Sequence, residues 1–529
     1  MICGTILACI YIMNSSIQLI SMRLRSLMSL AVLCCGIVAA SGADIYVAQT
    51  SQGTGDGSNA SNAQSLAWLN SSANWNNGVG TVQPGTTVHL VGTLTNTVTI
   101  GGSGAAGNRI NIVFEPGANI SMPVLAGIDL QSFNYITVDG AGGFMRSTDN
   151  GTAFGHQSWA WAIQSSASIG EITIQNVTAT NLYARVASGD ETGTATAINF
   201  YPANFNNVII RGCTLSHAQV GINCTYDAVS TNLQVYSNSI SHVNWGVAVG
   251  DARGTSGLHW LYIHHNVIDH FENWDHVPSQ PTPYHHDGIY IFAQNSPSIL
   301  NHARIYDNVI GPNVGDPNDT TTAIGCVGWD DATGVPTPDV AIFNNVCYLI
   351  TGGWNNGFFS VGSSNGVVAN NTVFANGILM SGIDSRGYAY YLVVNNIVMA
   401  CGADSIYLPA NWWEQPNKSD YNVLSPFGTG IGISWTSWQS TGRDLHGMTN
   451  DPVVVNALAG DFHLQATSPA IGAGTNLTSL GIPELNFDFD GNPRPATGPW
   501  TIGAYSATAI APPIMPPGNL KTVAPVQQP

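Results

Sequence analysis

From about residue 136 to residue 410, hydrophobic and polar positions alternate in short runs with period two and almost no helical periodicity. Eight segments repeat one order, a β-rich run followed by an Asn and then small or β-branched residues: ITIQNVT, IIRGCTL, VYSNSIS, YIHHNVI, IYDNVIG, IFNNVCY, VANNTVF and VVNNIVM. The marker positions are Asn176, Cys213, Asn238, Asn266, Asn308, Asn345, Asn371 and Asn396, at spacings of 37, 25, 28, 42, 37, 26 and 25. A base period near 25 with longer insertions predicts a solenoid whose coils carry loops on one side. A coil of that length holds three short strands, so the expected fold is all-β, a parallel β-helix. The repeated Asn belongs at a turn, where its short amide tolerates unusual backbone angles and bonds nearby groups. Stacked from coil to coil, such amides can bond one another.

Composition supports this. Gly makes up 58 of 529 residues, charged residues are 8%, and 44% of the chain is hydrophobic, a β- and turn-rich balance that excludes disorder. Met22 opens MRLRSLMSLAVLCCGIVAASGA, a basic start followed by an apolar run and a small-residue end, which reads as a secretory signal. The expected organisation is a signal region over 1–43 (start at Met22), a cap and first coils over 44–135, and regular coils over 136–410. Last coils and a closing cap follow over 411–505, and a Pro-rich tail over 506–529. No later apolar run reaches membrane-spanning length, so secretion without stable membrane insertion is expected. Five Cys remain after the signal, too few and too odd in number for a disulfide framework. They read as buried apolar residues, with a Cys213–Cys224 pair left open.

Charge narrows the partners. The chain carries 13 Lys and Arg against 31 Asp and Glu, a net of −18, and only Lys418 and Lys521 are Lys beyond the signal. Nucleic acid is excluded as a general partner, because phosphate binding needs basic surface. A polyanionic glycan would be repelled unless cations bridged it. A neutral or weakly charged polysaccharide or oligosaccharide fits without further assumptions. Nothing in the sequence fixes the oligomeric state.

The opening IYVA, the run PGTTVHLVGT, the N-N-[TVI] coils and the closing DFHLQATSPAIGAG…DGNPRP…IGAY resemble secreted bacterial proteins of the pectate-lyase-like superfamily. The resemblance implies a right-handed parallel β-helix, a single elongated domain with caps at both ends. Its reaction is left open, since members include lyases, hydrolases, epimerases and proteins of unknown activity.

A site must therefore be sought in particular residues. The widest spacings bracket positions 266–345. There the insertion DHFENWDHVPSQPTPYHHDG concentrates titratable and aromatic groups, with Trp274, Tyr284, His285, His286 and Asp287 among them. Aligning the second strand of each coil places Asp227, Asp251, Asp330, Asp331 and Asp384 near one edge, with Arg253 and Arg386 just beyond two of them. Coils stack about 4.8 Å apart, so acids two coils apart approach the ~6.5–9.5 Å that inverting hydrolysis uses. The expected catalytic set is Asp251, Asp287, Asp330 and Asp331. His285, His286, Trp274, Tyr284, Tyr290, Arg253 and Arg386 are expected to bind substrate, and no metal or other cofactor is expected.

The β-helical polygalacturonases carry Asn-Thr-Asp, Asp-Asp, Gly-His-Gly and Arg-Ile-Lys motifs. His286-Asp287-Gly288 and Asp330-Asp331 look similar to the first two, and the other two are missing, which argues against galacturonate specificity. The leading reading is a glycoside hydrolase. The alternatives are a polysaccharide lyase using Ca²⁺ and an Arg base on a uronate glycan, and a non-catalytic glycan-binding solenoid. Asp488-Phe-Asp490-Gly491 reads as a cap turn, and His264-His265 as one outward and one packed side chain.

Overall fold

A computed structural model describes residues 42–78, 80–148, 160–182, 195–251, 257–271, 286–293, 299–314, 321–328, 338–348, 357–362, 365–376, 381–384, 392–402, 404–407, 418–429 and 432–506. The chain divides into Met1–Ala43 and Asp44–Pro529, and every described strand belongs to the second unit. The strands form parallel sheets of 14, 12 and 11 strands. Beyond the first strands, Asp44–Ala48, Gln64–Ser65 and Thr87–Leu90, hydrogen-bonded neighbours are three apart in chain order, so each regular coil gives one strand to each sheet. This is the parallel β-helix that the repeat predicts, with the right-handed crossovers that the resemblance implies.

Inward positions stack like on like. On the 14-stranded sheet Val88, Ile112, Val138, Ile174, Ile210, Val235, Ile263, Ile305, Ile342 and Val368 form one fully buried column. Parallel strands buried on the inner face need such β-branched runs. Leu66, Leu69 and Trp75 join this core near the amino end, and Trp438 joins it near the carboxyl end. No helix among the described residues is long and apolar enough to cross a membrane.

The repeated amides form a ladder. Asn238, Asn266, Asn308, Asn345, Asn371 and Asn396 are buried, and each Oδ1 accepts from the backbone N–H of the preceding rung. Each Nδ2 donates to the next Oδ1 at 2.9–3.0 Å. The ladder runs further than the repeat suggests. Asn422 continues it, and Asp444 ends it by accepting from Asn422 Nδ2 and, through its other oxygen, from Trp438 Nε1.

At the other end the expected phase is corrected. Asn176 has φ 55° and occupies the left-handed position that Gly212, Ser237, His265, Asp307 and Asn344 take just before the ladder residue. Val177 is therefore the rung, and its carbonyl accepts from Thr214 N–H as Cys213 does from Ser239.

Beyond the last coil strands, Lys418–Asp420 and Val423–Ser425, the chain turns through the helix Trp435–Ser440. It then lies back along earlier coils. Asn344 Nδ2 donates to Phe487 O, Asn370 Nδ2 to Thr501 O and Asn395 Nδ2 to Thr475 O. Leu477, Ile482, Leu485 and Trp500 cover Tyr306, Phe343, Ala369 and Val394 on the outside of the 14-stranded sheet. Asp488 closes the Asp488–Gly491 turn, its Oδ1 accepting from Asp490 and Asn492 N–H.

In this returning segment His463 lies between Asp490 (Nε2···Oδ2 2.9 Å) and Asp461 (Nδ1···Oδ1 2.6 Å). The bond to Asp490, opposed by burial and aided by Asp461, raises its pKa to about 9. Because the folded value exceeds the unfolded one of about 6.5, the stabilisation is fully present below about pH 6.5 and is lost as pH rises through about 9. Melting temperatures of the native chain and His463→Gln should therefore converge between about pH 6.5 and about 9.5; a constant gap would show that the imidazolium contributes nothing.

Cys213, Cys224, Cys326, Cys347 and Cys401 are buried and free, so Cys213 and Cys224 are not joined. Burial pushes the Cys213, Cys326 and Cys401 thiols up to about 12 and raises Cys224 and Cys347 further.

Candidate functional site

The coils with the long insertions contribute His286–Ala293 and Thr321–Gly328 to the 11-stranded sheet, beside Val220–Tyr226 and Trp245–Asp251 of the two preceding coils. Ile222, Val247, Ile289 and Ile324 stack inward, which sets the opposite face for Asn223, Ala248, Tyr290 and Gly325. The next outward row is Thr225, Gly250 and Phe292.

Three aromatic side chains meet on that face. Tyr290 and Phe292 are stacked at 5.3 Å and 22°, and Trp245 meets Tyr290 edge-on at 5.9 Å. All three are half-buried. The rings lie down because glycines make room. A Cβ on Gly250 would fall 2.2 Å from the tip of the Phe292 ring, and one on Gly325 would fall 2.7 Å from Tyr290 Cδ2. Phe292 thus reaches over the preceding strand and Tyr290 over the following one. Of the expected substrate-binding residues, Tyr290 occupies such a position. Trp245 and Phe292 fall outside the expected set, although the Gly250–Phe292 pairing is readable from the aligned strands.

The acids separate. Asp251 ends its strand, buried, in register with Tyr226 and Ala293. Asp287 lies near the other end of its strand, buried, with its Oδ1 accepting from Thr322 N–H at 2.9 Å. Six residues along the strand separate Asp287 from Ala293, Asp251's neighbour, which is about 20 Å. The structure does not bring Asp251 and Asp287 together.

Gly328 is in register with Ala293, so the end of its strand lies two strand spacings, about 10 Å, from Asp251. Asp330 and Asp331 follow Gly328 by two and three residues in the sequence. Asp384 belongs to the Tyr290 row, three coils on, not to the Asp251 row. Asp227 directly follows Tyr226, half-buried, and its N–H donates to Asn204 Oδ1. His286 is buried beside Asp287, opposite Thr321. Asp330, Asp331, His285, Trp274, Tyr284, Arg253 and Arg386 lie outside the described residues.

Among the described residues no group of three or more His, Cys, Asp or Glu is arranged to hold a metal. His264 stacks between Tyr236 and Tyr306 at 4.8 and 4.7 Å, and His265 sits in the left-handed turn with Nε2 3.6 Å from Asp307. Burial, with some help from His265, drives His264 down to about 3, and burial takes His265 down to about 4. Two neutral rings with Nδ1 atoms 2.8 Å apart form a packed pair. The strand alternation expected for them fails because His265 belongs to the turn.

No protein-family model matches the chain, and no curated protein sequence matches it. Among solved structures it is similar to pectate lyase Pel9A, at 15% identity and TM-score 0.37 over 88% of this chain and 96% of that one. It is also similar to the GH136 lacto-N-biosidase from Eubacterium ramulus, at 13% and 0.41, covering 72% of this chain and 63% of the enzyme. A third is XylC in complex with xylose, at 10% and 0.49, covering 88% and 98%. The fold itself rests on the strand registers given above.

Proposed function

We propose that the chain is a secreted carbohydrate-active enzyme that hydrolyses a neutral or weakly charged polysaccharide on the outer face of the 11-stranded sheet. The observation that carries this is the flat Tyr290–Phe292 pair, flanked by Trp245 and held down by Gly250 and Gly325. Rings fixed flat on a rigid sheet suit the apolar face of a sugar, and stacked coils hold reacting groups in place while loops vary. The acidic balance of the chain disfavours a polyanionic substrate.

For the chemistry we assign acid and base to two of Asp251, which ends its strand one residue beyond the Phe292 row, and Asp330 and Asp331, which follow Gly328 in the sequence. The strand ends at Asp251 and Gly328 lie about 10 Å apart, a spacing from which carboxyls can converge to the ~6.5–9.5 Å of inverting hydrolysis. Asp287 serves instead as a strand-end acceptor for Thr322. The reading requires no cofactor.

The test is purified protein on a panel of neutral and uronate glycans. New reducing ends without the ultraviolet absorbance of an unsaturated uronide are expected. That absorbance would replace hydrolysis with elimination, and binding without either product would make the chain a glycan-binding solenoid.

A further inference from the structure

A second aromatic position lies on a different face. In six successive coils the 14-stranded sheet carries one left-handed residue at the same place: Tyr135, Glu171, Asn207, Asn232, Trp260 and His302, with φ between 52° and 66°. The flanking residues stay in register, Thr231 with His259 and Asn301 before the bulge, Leu233 with Leu261 and Ala303 after it. Asn tolerates this backbone, but a bulky residue there is strained. Trp260 is nonetheless 43% exposed. A strained, exposed Trp brings little to the core, and strain of this kind collects at binding sites.

Its surroundings fit a ligand of one chemistry. On one side runs a row of bonded amides. Gln234 Nε2 donates to Asn232 Oδ1 (3.1 Å), Asn232 Nδ2 to Asn207 Oδ1 (2.8 Å) and Asn207 Nδ2 to Glu171 Oε1 (2.5 Å). Arg109 lies 3.5 Å from the Glu171 carboxylate, so the row ends in a compensated charge. On the other side the His302 ring is 4.0 Å from the Trp260 ring, with Tyr262 edge-on to His302 at 5.8 Å. From Tyr306 onward the same sheet is covered by the chain's own apolar returning segment. The stretch from Glu171 to His302 presents amides and rings instead, over five coils or about 20 Å.

We infer that this face is a second, non-catalytic binding site for a neutral polysaccharide chain, with a sugar ring on Trp260 and hydroxyls along Asn232 and Asn207. An aromatic face continued by a few polar groups is how such ligands are oriented. The site belongs to a different sheet from Tyr290 and Phe292, so it grips polymer without joining the reaction. It shares only its ligand class with the proposed function.

Trp260→Asn is the test, because Asn already occupies this backbone at Asn207 and Asn232. The full chain and the variant are depleted onto insoluble cellulose, xylan and mannan, and turnover is followed on soluble oligosaccharides of the same glycans. Retention on the bound polymer should fall about three- to tenfold, as the loss of one stacking contact implies. Turnover and melting temperature should be unchanged or, for melting, raised. Tyr290→Ala should do the reverse, lowering turnover and leaving retention intact, so failure of the hydrolytic reading does not decide this one. Equal retention of variant and parent, or no retention of the parent on any of the three, overturns the site. A changed oligomeric state in Trp260→Asn with retention intact also overturns it and assigns the face to a second copy.

Discussion

Replacing Asn371 by Leu is expected to lower the unfolding free energy by roughly 3–5 kcal/mol, from two or more buried groups left unbonded at ~1–3 kcal/mol each. Asn371 Oδ1 accepts from both the backbone N–H (2.9 Å) and Nδ2 (3.0 Å) of Asn345. Its Nδ2 donates to Ile342 O and Asn396 Oδ1, each at 3.0 Å. Leu keeps the branched shape and removes every one of these bonds, and Asn371 is fully buried, so no water replaces them. Asn345 N–H and Ile342 C=O lose their Asn371 partner outright. Asn176→Gly is the control. Asn176 is exposed, holds φ 55° and bonds Asp139 through Nδ2 (3.0 Å), so glycine should cost within about 1 kcal/mol. Urea unfolding midpoints compare the two. Equal shifts would mean that the ladder marks the turns without stabilising them.

That pair also shows what the sequence could and could not carry. The coil period was legible because one turn geometry recurs and few residues satisfy it. The phase was less so, because Asn is favoured at two adjacent positions for different reasons. It tolerates the left-handed backbone at Asn344, Asn370 and Asn395, and it bonds along the stack at Asn345, Asn371 and Asn396. Where only one Asn is present, as in Gln175-Asn176-Val177, residue type does not say which role it fills.

The bulge behind Trp260 did leave a trace. Inward residues on that sheet are spaced three and then two: Leu258, Leu261, Ile263, and likewise Leu300, Ala303, Ile305. Strict period-two reading hides this slip. Among the site acids Asp251 was legible as a strand-end residue. The distance between it and Asp287 was not, since an eight-residue strand is long enough to carry Asp287 at its entrance out of reach of Asp251.

The same separation sets what substitution of each acid should do. Asp287→Asn should retain activity within about threefold, since an amide oxygen can still accept from Thr322 N–H. Two of Asp251→Asn, Asp330→Asn and Asp331→Asn should each lower kcat/KM by about 10²–10⁴-fold, the range for losing a general acid or base. Both groups are required for inverting hydrolysis, so the two damaging substitutions should look alike. Their double variant should be little worse than either single, because groups that act together are not additive. Asp384→Asn, in the central Tyr290 row three coils on, should have a small effect. Melting temperatures of all variants separate lost chemistry from lost fold. A folded but inactive Asp287→Asn, with Asp251→Asn at full rate, would move the reaction to the amino edge of the sheet, beside Trp245 instead of Phe292.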